Sequence, residues 1–146
     1  MKTSPRAVLT LAAALAFQLP GAAGAKPLRQ DHPLIGTWQI TLPDGSCQEV
    51  YRFHSDGTTL VTSAQEVAES NFDIADEPDA DGFYKQVDIV VKDNGKLDCS
   101  GEVTKVGHKN TSYILFHPSG NMFLMCLERD MRSCIGPFIR VHGRET

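Results

Sequence analysis

The chain has 146 residues, with 14 Lys and Arg against 18 Asp and Glu, a formal charge of −4 and 41% hydrophobic side chains. That length suits a single domain with a modest core. The acidic balance argues against nucleic acid as a partner, because binding a phosphate backbone needs a dense basic surface to displace counterions.

Residues 1–25 have the form of a cleavable export signal. Lys2 and Arg6 open it, Ala7 to Leu19 is apolar, Pro20-Gly21 breaks the run, and Ala23-Gly24-Ala25 supplies the small residues of a cleavage site. Thirteen helical residues reach only ~20 Å against a ~30 Å hydrocarbon core, which favours a signal over an anchor. No cysteine stands at the cleavage point to suggest lipidation, and no second apolar run of spanning length follows. The predicted mature protein is therefore the 121 residues from Lys26, periplasmic or secreted, with no membrane span. Loss of Lys2 and Arg6 takes its formal charge to −6. Within it, 26–33 is expected to be an N-terminal extension, 34–142 the folded domain and 143–146 a tail.

The domain reads as short strands separated by turn chemistry. Ile35 to Thr41 alternates around Trp38 and Ile40 before Pro43-Asp44-Gly45. Cys47 to His54 follows, then Ser55-Asp56-Gly57 and the β-branched run Thr58 to Ser63. Asn71 to Ile74 suits a short strand. Phe83 to Lys92 places Val87, Ile89 and Val91 at period two ahead of the hairpin signal Asp93-Asn94-Gly95. Lys96 to Val106 is predicted to return, Ser112 to His117 and Asn121 to Glu128 to pair across Pro118-Ser119-Gly120, and Cys134 to Val141 to close the chain. No window holds a helical period over three turns. The prediction is an all-β antiparallel meander of eight to nine strands. Its short connections favour an up-and-down barrel, which abolishes edges, over a Greek-key sandwich, which needs longer crossovers.

Gly36-Thr37-Trp38 at the head of the first strand, Asp56-Gly57-Thr58 after the second, and Phe138-Ile139-Arg140-Val141 in the last resemble the lipocalin-like, or calycin, pattern of short bacterial domains. The resemblance implies that Trp38 closes one end of the barrel and that Arg140 lies over its ring, a cation–π contact of ~1 kcal/mol. It also implies a carrier for a small apolar ligand. Candidate lining residues are Val50, Phe72, Ile74, Val87 and Ile89 from the first five strands, and Ile114, Phe116, Phe123 and Met125 from later ones. The chain is shorter than typical lipocalins and lacks their C-terminal helix pattern.

All four cysteines follow the signal, and in an oxidising compartment two disulfides are expected. Zinc is disfavoured by the absence of a C-x-x-C pair or a short Cys/His cluster. Three connectivities are formally open. Cys126 and Cys134 flank one turn and can face each other across it. Cys47 and Cys99 fall at the same barrel end only if a strand forms between residues 65 and 82, as Asn71 to Ile74 allows. The expected bridges are Cys47–Cys99 and Cys126–Cys134.

Other candidate chemistry is thin. Glu66 to Asp81 holds seven acids and no base, and is expected to be a solvated loop at the barrel mouth. Glu77-Pro78-Asp79-Ala80-Asp81-Gly82 has the start of a calcium loop, but its twelfth position is Asp88, not a bidentate Glu. The histidines lack ligand spacing, and Met122 and Met125 sit at strand period. With no nucleophile elbow, zinc-protease motif or phosphate-binding loop, neither an enzyme nor a cofactor is expected. Two readings of function remain. One is an exported carrier of a small apolar ligand. The other is a solid barrel whose loops bind a protein, the acidic stretch facing a basic partner as in an inhibitor or toxin-neutralising factor.

Overall fold

The computed structural model describes residues 24–142; positions 1–23 of the expected signal and the tail 143–146 lie outside the described residues. Eight strands run in chain order: β1 Gly36–Thr41, β2 Gln48–Phe53, β3 Thr58–Ser63, β4 Glu66–Ile74, β5 Phe83–Asp93, β6 Lys109–Phe116, β7 Met122–Cys126 and β8 Cys134–Arg140. Each pairs antiparallel with the next, and β8 returns to β1 through Trp38↔Arg140 and Gln39↔Ile139, so the sheet closes into a barrel. A single 3-10 turn, Met131–Ser133, is the one helical element among the described residues.

Two predicted elements come out differently. Lys96 to Val106 forms no strand. The Asp98 carboxylate accepts the amides of Ser100 and Glu102 and the Ser100 hydroxyl, so a local side-chain turn takes the backbone donors a ladder would need. The loss of this strand leaves eight, and the one expected at Asn71 to Ile74 is longer, β4 beginning at Glu66 and running nine residues. The stretch Glu66 to Asp81 is therefore not one loop. Its first nine residues are a strand alternately buried and exposed, and only 75–82 is a connection.

The turns β2–β3, β4–β5 and β6–β7 share one end of the barrel, and residues 26–35 cross it as a strap. The strap is anchored by Leu28 N–H to the Ser55 carbonyl at 2.8 Å and by His32 Nε2 to the Ala75 carbonyl at 3.0 Å. Gly57 has φ +84°, and a Cβ there would lie 2.2 Å from the Lys26 carbonyl oxygen, so the Asp56-Gly57-Thr58 turn needs glycine where the strap passes.

At the opposite end, segment 94–108 lies over the β3–β4 turn. Gln65 N–H donates to the Leu97 carbonyl at 3.2 Å, and Cys99 N–H to Ser63 Oγ at 2.9 Å. The Cys47–Cys99 disulfide fixes this segment to the start of β2, and Cys126–Cys134 bridges a directly opposed pair of β7 and β8. No helix among the described residues is long and apolar enough to cross a membrane.

Candidate functional site

The interior divides into two halves with opposite chemistry. At the strap end Trp38, Phe123 and Phe138 are fully buried. Phe123 stacks on Phe138 with ring centroids 4.6 Å apart and meets Trp38 edge-on at 4.7 Å; Phe116, Ile114, Phe53 and Phe72 complete the cluster. Trp38 Nε1–H donates to the Leu34 carbonyl at 2.8 Å, so the indole is buried with its polar atom satisfied. The Arg140 guanidinium carbon lies 4.1 Å from the Trp38 ring centre. Its N–H groups donate to the carbonyls of Pro33 (2.7 Å), Ile35 (3.0 Å) and Gly120 (3.2 Å). Gly36 belongs to this arrangement: a Cβ there would stand 2.8 Å from Arg140 Nη1, at a φ of +133°.

His32 is buried beneath the strap. Its Nδ1 accepts Leu34 N–H at 3.2 Å while Nε2 faces the Ala75 carbonyl, which defines a neutral ring with the proton on Nε2. Burial, with a smaller contribution from Arg29, holds its pKa below the ordinary histidine value.

The other half is polar. The register aligns Glu49 with Ser63 and Ser63 with Glu66, and Tyr51 with Trp38, so these side chains share the inner face. Gln86 and Asp88 on β5 sit opposite Ser112 and Asn110 on β6, again facing inward. A cavity of about 160 Å³ is lined by Tyr51, Phe53, Thr59, Val61, Ser70, Gln86, Asp88, Asn110 and Met125. The Tyr51 hydroxyl donates to Glu49 at 2.8 Å, Ser63 Oγ–H donates to the same carboxylate at 2.6 Å, and Ser63 Oγ accepts the Cys99 amide. One hydrogen-bond chain thus runs from the cavity wall to the covering segment. Burial, and then the Glu49 charge, push the Tyr51 phenol well above its usual value. Burial also raises Asp88 and Glu66; neighbouring Asp93 and Asp98 add to the effect at Glu66.

The structure places six of the nine predicted lining residues inside: Phe72, Ile74, Ile114, Phe116, Phe123 and Met125. The first five are part of, or pack on, the aromatic cluster, and only Met125 lines the cavity. Val50, Val87 and Ile89 are corrected to the outer face. Val50 pairs with Gln39, outside the Trp38–Tyr51 row, while Val87 and Ile89 pair with Asp73 and Asn71 on the exposed side of β4. Residues that make the cavity polar, above all Gln86 and Asp88, are absent from the sequence-based set. Their signal is the alternation of Gln86 and Asp88 with Val87 and Ile89, which hydrophobicity assigns to the wrong face.

The acidic stretch 66–81 does not form a mouth loop. Glu66 is inside, Glu69 pairs with Lys92, Asp73 with Lys26, Glu77 with Arg29, and Asp79 with Arg129. Asp79 Oδ1 also accepts the amides of Asp81 and Phe83. Among the described residues no three of His, Cys, Asp and Glu converge as metal ligands. Comparison with family models, curated proteins and solved structures returns no match to this chain.

Proposed function

We propose that this protein is an exported, lipocalin-like binding protein that holds one small molecule in the polar half of its barrel. The observation that carries the reading is the 160 Å³ cavity, lined by buried polar side chains whose hydrogen-bonding capacity the protein leaves partly unused. Buried polar atoms are costly unless paired, so a wall of this kind suits a guest that pairs with them. A bulky apolar ligand, the form the family resemblance implies, is poorly served. The apolar half is filled by its own stacked rings, and the cavity lies below the ~300 Å³ at which ordinary ligand pockets begin. The two disulfides suit an extracytoplasmic site of action.

Native mass spectrometry of protein purified from its own cell envelope or medium tests this. A stoichiometric small mass, lost on denaturation, is the expected result. Recovery of the bare polypeptide mass, together with no thermal shift against a library of small polar metabolites, overturns it.

The outer face of β6 to β8 favours a second reading, a protein-binding barrel. Met131 is 64% exposed and lines an apolar groove with Leu115, Met122, Leu124 and Pro137. Patches of this kind mark partner surfaces more often than isolated apolar residues do. This face, rather than the paired acids of 66–81, is where a partner would be sought if the ligand test fails.

A further inference from the structure

The inner face carries four carboxyl groups in its polar half: Glu49 on β2, Glu66 on β4, and Asp88 and Asp93 on β5. None belongs to an ion pair among the described residues, and no Lys or Arg shares that half of the inner face. Arg140, the inward base, stands at the other end over Trp38. The polar half is therefore rich in carboxyl groups with no inward Lys or Arg beside them, which disfavours an anionic guest.

The cavity selects among the remaining ligands. Of the four acids only Asp88 lines it. A calcium ion takes six to eight oxygens at 2.3–2.6 Å, usually with several carboxylates, and one carboxylate among aromatic and thioether walls is a poor match. The wall has two characters. Tyr51, Phe53, Val61 and Met125 give an apolar and aromatic side; Asp88, Gln86, Thr59 and Asn110 give an acceptor-rich side. Gln86 and Thr59 are wall residues, 3% and 5% exposed, and Gln86 Oε1 and Thr59 Oγ1 are buried without a partner from the protein. An unpaired amide oxygen can only accept, so the guest must bring donors. Tyr51 and Phe53, with ring centroids 6.1 Å apart, bring aromatic surface to the wall, and aromatic rings attract a cation.

Resting on the small-ligand reading above, we infer that the chamber binds a small organic ammonium ion, its N–H groups toward Asp88, Gln86 and Thr59 and its short carbon chain against Tyr51, Phe53 and Met125. The volume of about 160 Å³ equals roughly five water molecules at ~30 Å³ each, which limits the guest to a short-chain amine. The elevated pKa of Asp88, which burial imposes and the exposed His108 and the hydrogen bond from Asn110 only partly offset, is that of a carboxylate lacking a counter-charge.

A matched series on the full mature protein tests the assignment. Butylammonium, 1-butanol and butyrate are of similar size and differ in charge and donors. Each is titrated against ¹⁵N-labelled protein while the amides of Gln86, Asp88, Asn110 and Ser112 are followed. Butylammonium is expected to saturate those shifts, butanol to bind at least about tenfold more weakly, and butyrate not to bind. Asp88→Asn, which keeps shape and loses charge, should weaken butylammonium by about ten- to a hundredfold and leave butanol unchanged. The wild-type series stands by itself if the variant does not fold. Equal binding of butanol and butylammonium, or saturable interior shifts with calcium alone, overturns the ammonium assignment and leaves the ligand-binding reading intact. Silence with all probes alongside a co-purified small mass also overturns the assignment alone; silence without such a mass overturns both.

Discussion

The two ends of the barrel are stabilised by different physics. The strap end is held by burial. Trp38, Phe123 and Phe138 fill it, and residues 26–35 seal it through backbone carbonyls that serve Trp38 and Arg140 and through the His32 ring, which bonds to the Ala75 carbonyl. The opposite end contains acids and a cavity, so burial contributes less there; a covalent link and a hydrogen-bond chain through Glu49, Ser63 and Cys99 hold it instead. A packed end and a stapled end can coexist because the barrel ladder is continuous between them. The difference shows how a small barrel can keep a polar interior: apolar stabilisation is concentrated at one pole, and the other is constrained by a cross-link.

The comparison breaks most sharply at Trp38. Trp38→Ala removes the ring that Phe123 and Arg140 pack on and should lower stability by ~3–5 kcal/mol, measured by denaturant unfolding. If the loss were below ~1 kcal/mol, the strap end would not be the main source of burial energy.

Removing the bridges probes the stapled end. Cys47 and Cys99 are separated by 52 residues and Cys126 and Cys134 by 8. Loop-closure entropy then predicts losses of roughly 4 and roughly 2.5 kcal/mol for the paired Cys→Ser variants. Hydrogen exchange should accelerate at the amides of Gln65 and of position 99 in the Cys47→Ser/Cys99→Ser protein while the Trp38 indole N–H stays protected. Uniform acceleration at both ends would mean the ends are not separable.

Acid should act first at the packed end. The folded protein holds His32 below the 6.5 of a free histidine, so the unfolded chain takes up this proton first as pH falls. The stability due to neutral His32 is complete above pH ~6.5 and is lost as pH falls through the lower folded value. Protonation would also place an Nδ1 hydrogen against the Leu34 N–H. His32→Gln should flatten that part of the pH–stability curve, read as the melting temperature between pH 7 and 5.

The smallest effect is expected at the polar end and has the opposite sign. Asp88 is raised in the fold, so its ionisation opposes folding as pH climbs past 3.8, and the penalty is complete above the folded value. Asp88→Asn should raise the melting temperature near pH 7 by a few degrees and have no effect at pH 3, while weakening amine binding. A drop in stability at neutral pH would show that Asp88 contributes to the fold as a paired charge.

Much of the architecture follows from local sequence. Turn chemistry at Pro43-Asp44-Gly45, Ser55-Asp56-Gly57 and Pro118-Ser119-Gly120 sets antiparallel neighbours, because short connections allow no other pairing. Gly36, Trp38 and Arg140 are legible for a similar reason: a fixed motif and a last-strand cation meet wherever the first and last strands are neighbours. Which face of each strand points inward is a different matter. Period two sorts β2 and β5 into two sets without saying which is inside, and hydrophobicity selects Val50, Val87 and Ile89 when the interior takes Glu49, Tyr51, Gln86 and Asp88. Only barrel closure settles that phase, because one register in β1 fixes the orientation of every later strand. The same holds for segment 94–108, where the Asp98 turn and the Cys47–Cys99 bridge override a strand-like composition. Strand order and the closing Trp–Arg pair are readable from the residues alone, since both depend on neighbours along the chain or on the two termini of one meander. That half the interior is lined by carboxyl and other polar groups emerges only in the closed barrel, because it depends on which face of each strand the sheet turns inward.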